Sequence, residues 1–385
     1  MLRKFATVLM AGSAFALGLG ACGSTASTAT NSTNGTAPAS SYVIGASLPE
    51  SGPNAGYAPV FAQAIKAGAQ FAVAQHLVPH LTVKYADNQA LPEPGVVAYN
   101  QLVQVDHANF ILSTFSGVIT ATAPLANRDE VIQVNGGGVG PNLAHLGAYT
   151  INDIPLLNDE IAGLLQYLKS KGFHGGMDVI YTNDALGTGA YQTLQKDWPA
   201  QGGTIIHGYE ISPTTADFTS IASQIASNHP NLVYVASYGS QQISIVKELR
   251  DAGVTAQMVS YSGFNYPGAA TPSYDQGLIF SSEKVNYHAT NNMTTAFLKQ
   301  WMQSNTSLPS YYQVNYANGV LLYAELAKYV TSHHEALTGK NLLAAFHAVK
   351  TYDLIGGELT FRSNGTVEMP IQINQITNGQ FVVLK

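Results

Sequence analysis

The hydrophobic positions from residue 42 onward alternate between short apolar runs and longer stretches with helical spacing. Runs such as YVIGASL (42–48) and FILS (110–113) are typical of buried strands. Between them, Phe61, Ile65 and Ala69 recur at i, i+4 and i+8, which predicts a helix with one apolar face. Because a strand–helix–strand succession joins neighbouring strands by crossovers, the pattern predicts a parallel α/β sheet.

The same alternation restarts after residue 150 and predicts a second α/β unit. MDVIYTN (177–183) and NLVYVAS (231–237) have the pattern of its strands. Asn158 is predicted to cap a helix in which Ile161 and Leu168 lie on the apolar face. Two successive units of this kind predict an α/β fold with two doubly wound, Rossmann-like lobes.

The last hundred residues continue neither unit in a simple way. TTAFLKQWMQS (294–304) and NYANGVLLYAELAKYV (315–330) are predicted helices. Strands follow them, with Asn-Gly turns at residues 364–365 and 378–379. A chain that visits one lobe, then the other, and then returns would cross between the lobes more than once.

A different pattern occupies the N-terminus. Arg3 and Lys4 precede an uncharged, mostly apolar run that ends in LGAC (19–22), a layout typical of an export signal. The end of this run resembles the bacterial lipobox. The resemblance implies a lipoprotein signal peptide over residues 1–21, cleavage before Cys22, and acyl chains on Cys22 that anchor the protein to a membrane from outside the cytoplasm. An ordinary secretory signal that contains a cysteine is the alternative.

Composition narrows the function classes further. Residues 22–40 are mostly small and uncharged, with many Ser and Thr, which predicts a flexible tether. Charged residues make up 10% of the 385 residues, against about 25% in typical soluble proteins. Removing residues 1–21 takes two of the 17 basic residues and none of the 23 acidic ones, so the mature chain has 15 basic residues and a net charge of −8. Such a chain has no basic patch, which argues against a nucleic-acid partner.

The order of motifs in the body resembles the type I periplasmic solute-binding proteins, in the branched-chain amino acid (Leu/Ile/Val) binding branch that serves ABC transporters. The most specific stretch is IGASLPESGPNAGYAPVFAQAIKAGAQFAV (44–73), and matching stretches follow in order to PSYYQVNYANGVLL (309–322). The resemblance implies the type I periplasmic binding protein fold, with two lobes joined by three hinge crossings near residues 150, 282 and 354. The implied N-terminal lobe is 41–150 plus 283–353, and the C-terminal lobe is 151–282 plus 354–385.

The resemblance also implies a function. Closure of the two lobes would capture a small organic solute, an amino acid or a related carboxylate or amide, for an ABC permease in the membrane. The protein would be a monomer without a cofactor or a metal, and it would perform no chemistry. A ligand-sensing receptor subunit on the same fold is an alternative that the sequence leaves open.

Ligands of open α/β sheets sit beyond the carboxyl ends of the strands, and this rule selects the candidate contacts. Hydroxyl groups in STFSG (113–117), directly before a predicted helix, would receive a carboxylate together with the helix amides, unless one of them only caps the helix. Tyrosines at strand ends would add aromatic walls, although core packing is the alternative for each. The predicted ligand contacts are Tyr57, Thr114, Ser116, Gly137, Gly138, Val139, Leu186, Tyr238, Ser262, Phe264 and Tyr312.

Three positions depart from what the resemblance implies for an amino-acid binder. Val139 stands where the family usually has a Thr that holds the ammonium, Leu186 replaces a Tyr, and residues 262–264 supply no acid. A buried ammonium without an acceptor is costly. The sequence therefore favours a carboxylate or amide with an apolar or aromatic body, with Asp184 either a substitute acid or a helix cap.

Enzyme functions find little support in the sequence. GGGVG (136–140) lacks the spacing of a dinucleotide or phosphate loop, and no Gly-x-Ser-x-Gly stretch occurs. The one cysteine falls in the predicted anchor. His333, His334 and Glu335 are adjacent at a predicted helix end, where their side chains would diverge, so a solvated helix end is favoured over a metal site.

Overall fold

The computed structural model describes residues 42–264 and 274–385. Its first sheet contains five parallel strands in the order β2-β1-β3-β4-β5. These strands are β1 (Val43–Leu48), β2 (Thr82–Asp87), β3 (Phe110–Ser113), β4 (Ile132–Asn135) and β5 (Thr150–Asn152). The helices between them are α1 (Tyr57–Ala74), α2 (Pro92–Asn100), which continues as a π-helical turn (Gln101–Val105), and α3 (Ser116–Asp129).

A second sheet begins after β5 and again has parallel strands linked by helices. Its parallel part follows the order β10-β9-β8-β6-β7. The strands are β6 (Gly176–Thr182), β7 (Thr204–Ile211), β8 (Leu232–Ala236), β9 (Gln257–Ser260) and β10 (Ile279–Glu283). The helices are α4 (Leu157–Ser170), α5 (Ala185–Ala200), α6 (Thr219–Asn228) and α7 (Gly239–Asp251). The α/β fold predicted from the apolar pattern is confirmed, and we call the parts built on the two sheets the first lobe and the second lobe.

The C-terminal part contributes to both lobes. It contains α8 (Asn292–Trp301), α9 (Tyr311–Ser332), α10 (Gly339–Ala348) and a small sheet of β11 (Thr351–Leu354), β12 (Gly357–Phe361) and β13 (Val367–Glu368). Helix α9 packs along α1 of the first lobe and is buried over most of its length. The last strands, β14 (Ile371–Thr377) and β15 (Gln380–Val383), extend the second sheet antiparallel to β10.

Local signals explain several element boundaries. Asn378 and Gly379 both have positive φ between β14 and β15, as the predicted Asn-Gly hairpin turn requires. The predicted cap at Asn158 is wrong, because α4 already begins at Leu157 and has no side-chain cap. The apolar side chains of Leu156 and Leu157 are buried in this position, so packing rather than capping sets the start of α4.

Three segments connect the sheets and lie side by side. The last residue of β5 meets the segment just before β13, because Asn152 pairs with Thr366 and its N–H donates to the carbonyl of Gly365 at 2.8 Å. The segment after β10 joins the same strand region through Lys284 N–H and the carbonyl of Pro370, also at 2.8 Å. The lobe boundaries predicted near residues 150, 282 and 354 stay predictions; after residue 354, β14 is the first strand to pair with the second sheet.

The predicted signal peptide (1–21), the tether (22–40) and the lipid attachment site at Cys22 lie outside the described residues and stay predictions. Within residues 42–264 and 274–385, no helix combines the length and apolar character needed to cross a membrane.

Candidate functional site

A cavity lies where the carboxyl ends of strands from both sheets face each other. The empty space within it, which includes solvent at the open mouth, is about 690 Å³. Both lobes contribute to its walls. The lining residues are Tyr57, Phe61, Ala90, Leu91, Pro92, Thr114, Phe115, Ser116, Gly117, Gly137, Gly138, Asp184, Leu186, Pro213, Tyr238, Tyr261, Gly263 and Tyr312.

Most of the predicted ligand contacts come together in this cavity. Eight of the eleven line it: Tyr57, Thr114, Ser116, Gly137, Gly138, Leu186, Tyr238 and Tyr312. They approach from separate parts of the chain because the strand ends of each parallel sheet meet at one edge. Their contact with a ligand stays a prediction.

Three predicted residues point elsewhere. Val139 is buried in the core, and its carbonyl accepts a hydrogen bond from the N–H of Leu157 at 2.7 Å. The N–H and the hydroxyl of Ser262 both donate hydrogen bonds to the buried carboxyl group of Glu160, and Phe264 packs in the core of the second lobe. Gly263, between these two residues, is the one that lines the cavity.

The polar end of the cavity is formed by the start of α3 and by residues 136–140, which we call the glycine loop. The hydroxyl of Ser116 accepts a hydrogen bond from the N–H of Gly140 at 2.8 Å, which joins the helix start to the loop. The alternative that Thr114 or Ser116 caps α3 is wrong, because Phe115 holds the cap position and gives no side-chain cap. The positive end of the helix dipole therefore faces the cavity beside Ser116 and Gly117.

At the polar end, the glycine loop lies close to the hydroxyl groups of Thr114 and Tyr316. Asn135 fixes it, since its Oδ1 accepts hydrogen bonds from the N–H groups of Gly137 at 3.1 Å and Gly138 at 2.6 Å. A Cβ atom at Gly137 would lie 2.7 Å from Oγ1 of Thr114 and 2.9 Å from the hydroxyl of Tyr316. These distances are too short for a real Cβ atom, so any side chain at this position would force Thr114 or Tyr316 to move.

Aromatic side chains from both lobes form the remaining walls. The ring of Phe115 lies between Tyr57 at 5.5 Å and Tyr238 of the second lobe at 5.6 Å, measured between ring centroids. Phe115 has φ of +62°, which is strained for a residue with a side chain. The hydroxyl of Tyr57 accepts a hydrogen bond from the N–H of Gly239 at 3.1 Å and thereby joins the start of α1 to the start of α7.

Asp184 is the one charged side chain among the residues that line the cavity. It caps α5, because its Oδ1 accepts from the N–H of Gly187 and from the hydroxyl of Thr182, both at 2.9 Å. Its Oδ2 accepts from the hydroxyl of Tyr238 at 2.7 Å. Burial, with the charge of Asp184 as a further cause, raises the pKa of Tyr238 well above its usual value, so Tyr238 stays a hydrogen-bond donor.

Sequence reasoning missed several lining residues for identifiable reasons. Phe61 is predicted only as part of the apolar face of a helix, and Phe115 lies between two hydroxyl residues, Thr114 and Ser116, that are the predicted contacts. Leu91, Pro92 and Pro213 come from loops whose course no apolar pattern predicts. Tyr261 and Gly263 could have been found, since they lie at the end of the apolar run AQMVSYSG (256–263), which has the pattern of a strand.

No cation-binding cluster competes with this cavity in the part of the chain that the structure describes. It contains no group of three or more His, Cys, Asp and Glu side chains placed to hold a metal ion. His333, His334 and Glu335 are exposed at the end of α9, where His333 Nδ1 contacts the carbonyl of Tyr329 at 2.8 Å.

Comparison with known proteins identifies the family. A family model described as periplasmic binding protein matches residues 41–380. The Leu/Ile/Val-binding protein homolog 3 of Brucella melitensis is 24% identical over 340 residues, which cover 85% of this chain and 89% of that protein. Rhizobium johnstonii has a Leu/Ile/Val-binding protein, BraC3, that is 24% identical over 230 residues, or 58% of this chain and 61% of that protein.

Solved structures share the fold at low sequence identity. The leucine binding protein LivK of Thermotoga maritima has a TM-score of 0.80 at 14% identity, covering 90% of this chain and 98% of that one. A solute-binding protein of an ABC transporter from R. palustris, solved with benzoate, has a TM-score of 0.76 at 18% identity, covering 89% and 95%. The chain therefore belongs to the periplasmic binding protein family, in the type I branch that includes the Leu/Ile/Val-binding proteins.

Proposed function

We propose that this protein is the extracytoplasmic solute-binding component of an ABC importer and that it captures a small organic carboxylate in the cavity between its lobes. Proteins of this family bind substrates outside the cytoplasm rather than transform them. The observation that carries the proposal is the pairing of an uncapped helix start with aromatic walls in one cavity. Each feature selects one part of the solute.

The start of α3 supports binding of a carboxylate. Its first amides carry the positive end of the helix dipole, and the hydroxyls of Thr114 and Ser116 lie beside them. These groups stabilise an anion without an Arg or Lys, and no basic side chain is among the residues that line the cavity.

The aromatic walls support an apolar or aromatic body without an ammonium group. Tyr57, Phe115, Tyr238 and Tyr312 present ring surfaces. The carboxylate of Asp184 already accepts three hydrogen bonds within the protein, which leaves about one of its four acceptor positions for an ammonium that brings three donors. Similar proteins have been solved with benzoate, with 4-hydroxybenzoate and with Leu, and these ligands define the range of solutes to test.

Closure of the lobes would complete the site. A solute shifts an open–closed equilibrium only by its differential affinity for the two states. Contacts that join the lobes, such as Tyr57 with Gly239 and Phe115 with Tyr238, exist only when the lobes are together. The closed surface would then be the form that a permease recognises.

A panel of solutes tests the function. We expect benzoate-type acids or branched aliphatic carboxylates to raise the melting temperature, and a solute at about 100 times its Kd should add about 2.7 kcal/mol to the free energy of unfolding. Benzamide, leucine and acetate in the same thermal-shift series separate amide, ammonium and size requirements. Stabilisation by leucine-like amino acids alone would contradict the proposed solute class, and stabilisation by no small solute would contradict the proposed function.

The variant Tyr57→Phe is expected to bind the solute more weakly by roughly threefold to tenfold, because it loses one hydrogen bond that joins the lobes. Most of the change should be a faster dissociation rate, measured by stopped-flow fluorescence. Tyr287→Phe is the matched control, since its hydroxyl donates to the carbonyl of Pro309 at 2.7 Å away from the cavity. Equal dissociation rates in both variants would rule out a role for the Tyr57 hydroxyl in closure.

The lipid anchor is tested at the one cysteine. We expect Cys22→Ala to move the protein from the membrane fraction to the medium or to a soluble extracytoplasmic fraction, because two or three acyl chains are needed for stable attachment. Fractionation followed by immunoblotting measures this, with Ser24→Ala as the control. Cys22→Ala protein that stays with the membrane would contradict the anchor.

A further inference from the structure

A buried carboxyl group lies directly beneath one wall of the cavity. Glu160, in the first turn of α4, is 1% exposed. Its Oε2 accepts hydrogen bonds from the N–H of Ser262 at 2.9 Å and from the hydroxyl of Ser281 at 3.2 Å. Its Oε1 accepts from the hydroxyl of Ser262 at 2.8 Å. One side chain of α4 thus holds the turn after β9 and also contacts β10.

The turn that Glu160 holds forms part of the second-lobe wall. Ser262 stands between Tyr261 and Gly263, and both of these residues line the cavity. On its other side, the carbonyl of Ser262 accepts a hydrogen bond from the hydroxyl of Tyr311. The carbonyl of Gly263 accepts one from Nε2 of Gln242 at 2.8 Å. Glu160 supplies the hydrogen bonds to the amide and hydroxyl of Ser262, so the wall depends on it.

We propose that Glu160 is a positioning residue of the solute site, which fixes Tyr261 and Gly263 through Ser262 and makes solute affinity depend on the charge of a side chain outside the cavity. The inference rests on the proposed function and concerns the regulation of that same site. Glu160 is not among the lining residues, so it acts through Ser262 and through its charge.

Both protonation states of Glu160 can hold the turn. The carboxylate accepts all three hydrogen bonds. In the neutral acid, Oε2 still accepts from the backbone N–H, and a proton on Oε1 can be donated to the hydroxyl of Ser262, since a hydroxyl both donates and accepts. A glutamine fits the same scheme, with its amide NH₂ in the place of Oε1.

The pH changes the charge of Glu160 but not its ability to hold the turn. Burial raises its pKa to about 8, although the hydrogen bonds from Ser262 and Ser281 act in the opposite direction. The titratable groups that act on it are acids and phenols, namely Asp159 on α4, Glu283 on β10, Tyr234 on β8, and Tyr311 and Tyr312 on α9. Ionisation of Glu160 adds a negative charge near the cavity, and by linkage the affinity for an anionic solute falls as the pH rises through about 8.

Two variants of Glu160 separate positioning from charge. Glu160→Ala removes all three hydrogen bonds, and we expect faster amide hydrogen exchange at Ser262 and a Kd about tenfold higher. Glu160→Gln keeps the hydrogen-bonding scheme, and we expect exchange at Ser262 and the Kd at about pH 6 to stay near those of the native protein. The decline of affinity between about pH 7 and 9 is present in the native protein and absent in Glu160→Gln.

Glu248→Ala is the matched control. Glu248 lies in the same lobe and accepts hydrogen bonds from the N–H of Phe218 at 2.8 Å and the hydroxyl of Thr219 at 3.2 Å, away from the cavity. Its truncation should leave the Kd and the exchange rate at Ser262 unchanged.

The outcomes decide the inference separately from the function. Unchanged exchange at Ser262 in Glu160→Ala overturns the positioning role, and the same pH slope of affinity in Glu160→Gln and the native protein overturns the role of charge. If Glu160→Ala does not fold, the Glu160→Gln comparison still decides the second point. If the native protein binds no solute of the panel, the proposed function fails, while hydrogen exchange still tests whether Glu160 fixes the turn.

Discussion

Raising the pH from about 5 to about 8 is expected to lower the free energy of unfolding by several kcal/mol, because buried carboxyl groups keep protons in the folded protein that the unfolded chain releases. Asp153, Glu160 and Glu283 are each at most 1% exposed. Burial raises the pKa of all three, to about 8 for Glu160 and well above the usual range for the other two. Asp153 and Glu160 add to the shift at Glu283 by their charges.

The sign of the effect follows from the proton balance. Between the pKa of the unfolded chain, near 4.5 for a glutamate, and the raised pKa of the folded protein, the folded state binds more protons. Stability is therefore fully present below about pH 4.5 and is lost as the pH rises through the folded pKa, by at most about 1.4 kcal/mol per pH unit for each group. Urea unfolding at several pH values measures this decline, and a stability that rises over the same window would contradict it.

Asp153→Asn isolates one of these groups. Neither carboxyl oxygen of Asp153 has a hydrogen-bond partner among the described residues, so the change to a neutral amide removes the cost of burying an ionisable group and breaks no side-chain hydrogen bond. We expect the variant to be more stable than the native protein at about pH 8 and to lose less stability between about pH 5 and 8. Equal slopes for the variant and the native protein would show that folding does not raise the pKa of Asp153.

Asp217→Asn is the control with the opposite sign. The N–H of Thr219 lowers the pKa of this exposed carboxyl group, so its contribution is present above the unfolded pKa and is lost only as the pH falls. The variant should therefore keep the native slope between about pH 5 and 8.

The fold was predictable because its parallel strands are short and apolar and its helices have one apolar face. FILS matches β3 residue for residue, and Phe61, Ile65 and Ala69 lie on the buried face of α1. The edge at which the cavity forms follows from the same pattern, since ligands bind beyond the carboxyl ends of parallel strands. Eight predicted residues therefore line the cavity although they come from distant parts of the chain.

Side-chain direction was not predictable in the same way. After β9 the chain makes a tight turn, in which the side chain of Ser262 binds Glu160, the side chain of Phe264 packs in the second-lobe core, and Gly263 between them lines the cavity. No repeating spacing of apolar residues predicts the side-chain directions in such a turn. An error of one residue in the predicted position therefore exchanges a lining residue for a buried one. Val139 shows the same limit in the glycine loop, where its carbonyl joins α4 and its side chain enters the core.

The sequence does contain a signal for one of the buried carboxyl groups, that of Glu160. Leu157, Glu160, Ile161 and Leu164 share one helical face at i, i+3, i+4 and i+7, and all four are buried. A charged residue within an apolar face predicts either a hydrogen-bonded interior group or an error in the helix assignment. Its partners, Ser262 and Ser281, are more than a hundred residues away, and only the folded chain brings them together.

Gly137→Ala is expected to weaken solute binding by at least about tenfold, because a methyl group there displaces a hydroxyl group at the polar end of the cavity. The new Cβ would lie within 3.0 Å of the hydroxyl oxygens of Thr114 and Tyr316, so at least one of them must move. Thr114 is one of the proposed carboxylate contacts, and overpacking of this kind also costs about 1–3 kcal/mol of stability. Isothermal titration with the best solute of the panel measures the affinity, and urea unfolding measures the stability.

The neighbouring glycine supplies the control that makes this prediction decisive. A Cβ at Gly136 would meet ring atoms of Tyr316 at 3.4 Å, an ordinary contact, and Gly136 does not line the cavity. Both substitutions add one methyl group to the same loop, so they share any general effect on its flexibility. Gly136→Ala should therefore bind like the native protein while Gly137→Ala does not. Equal affinity in the two variants would place the solute away from the glycine loop, since a solute held against α3 and Thr114 cannot tolerate a displaced hydroxyl and an added methyl group at the same point.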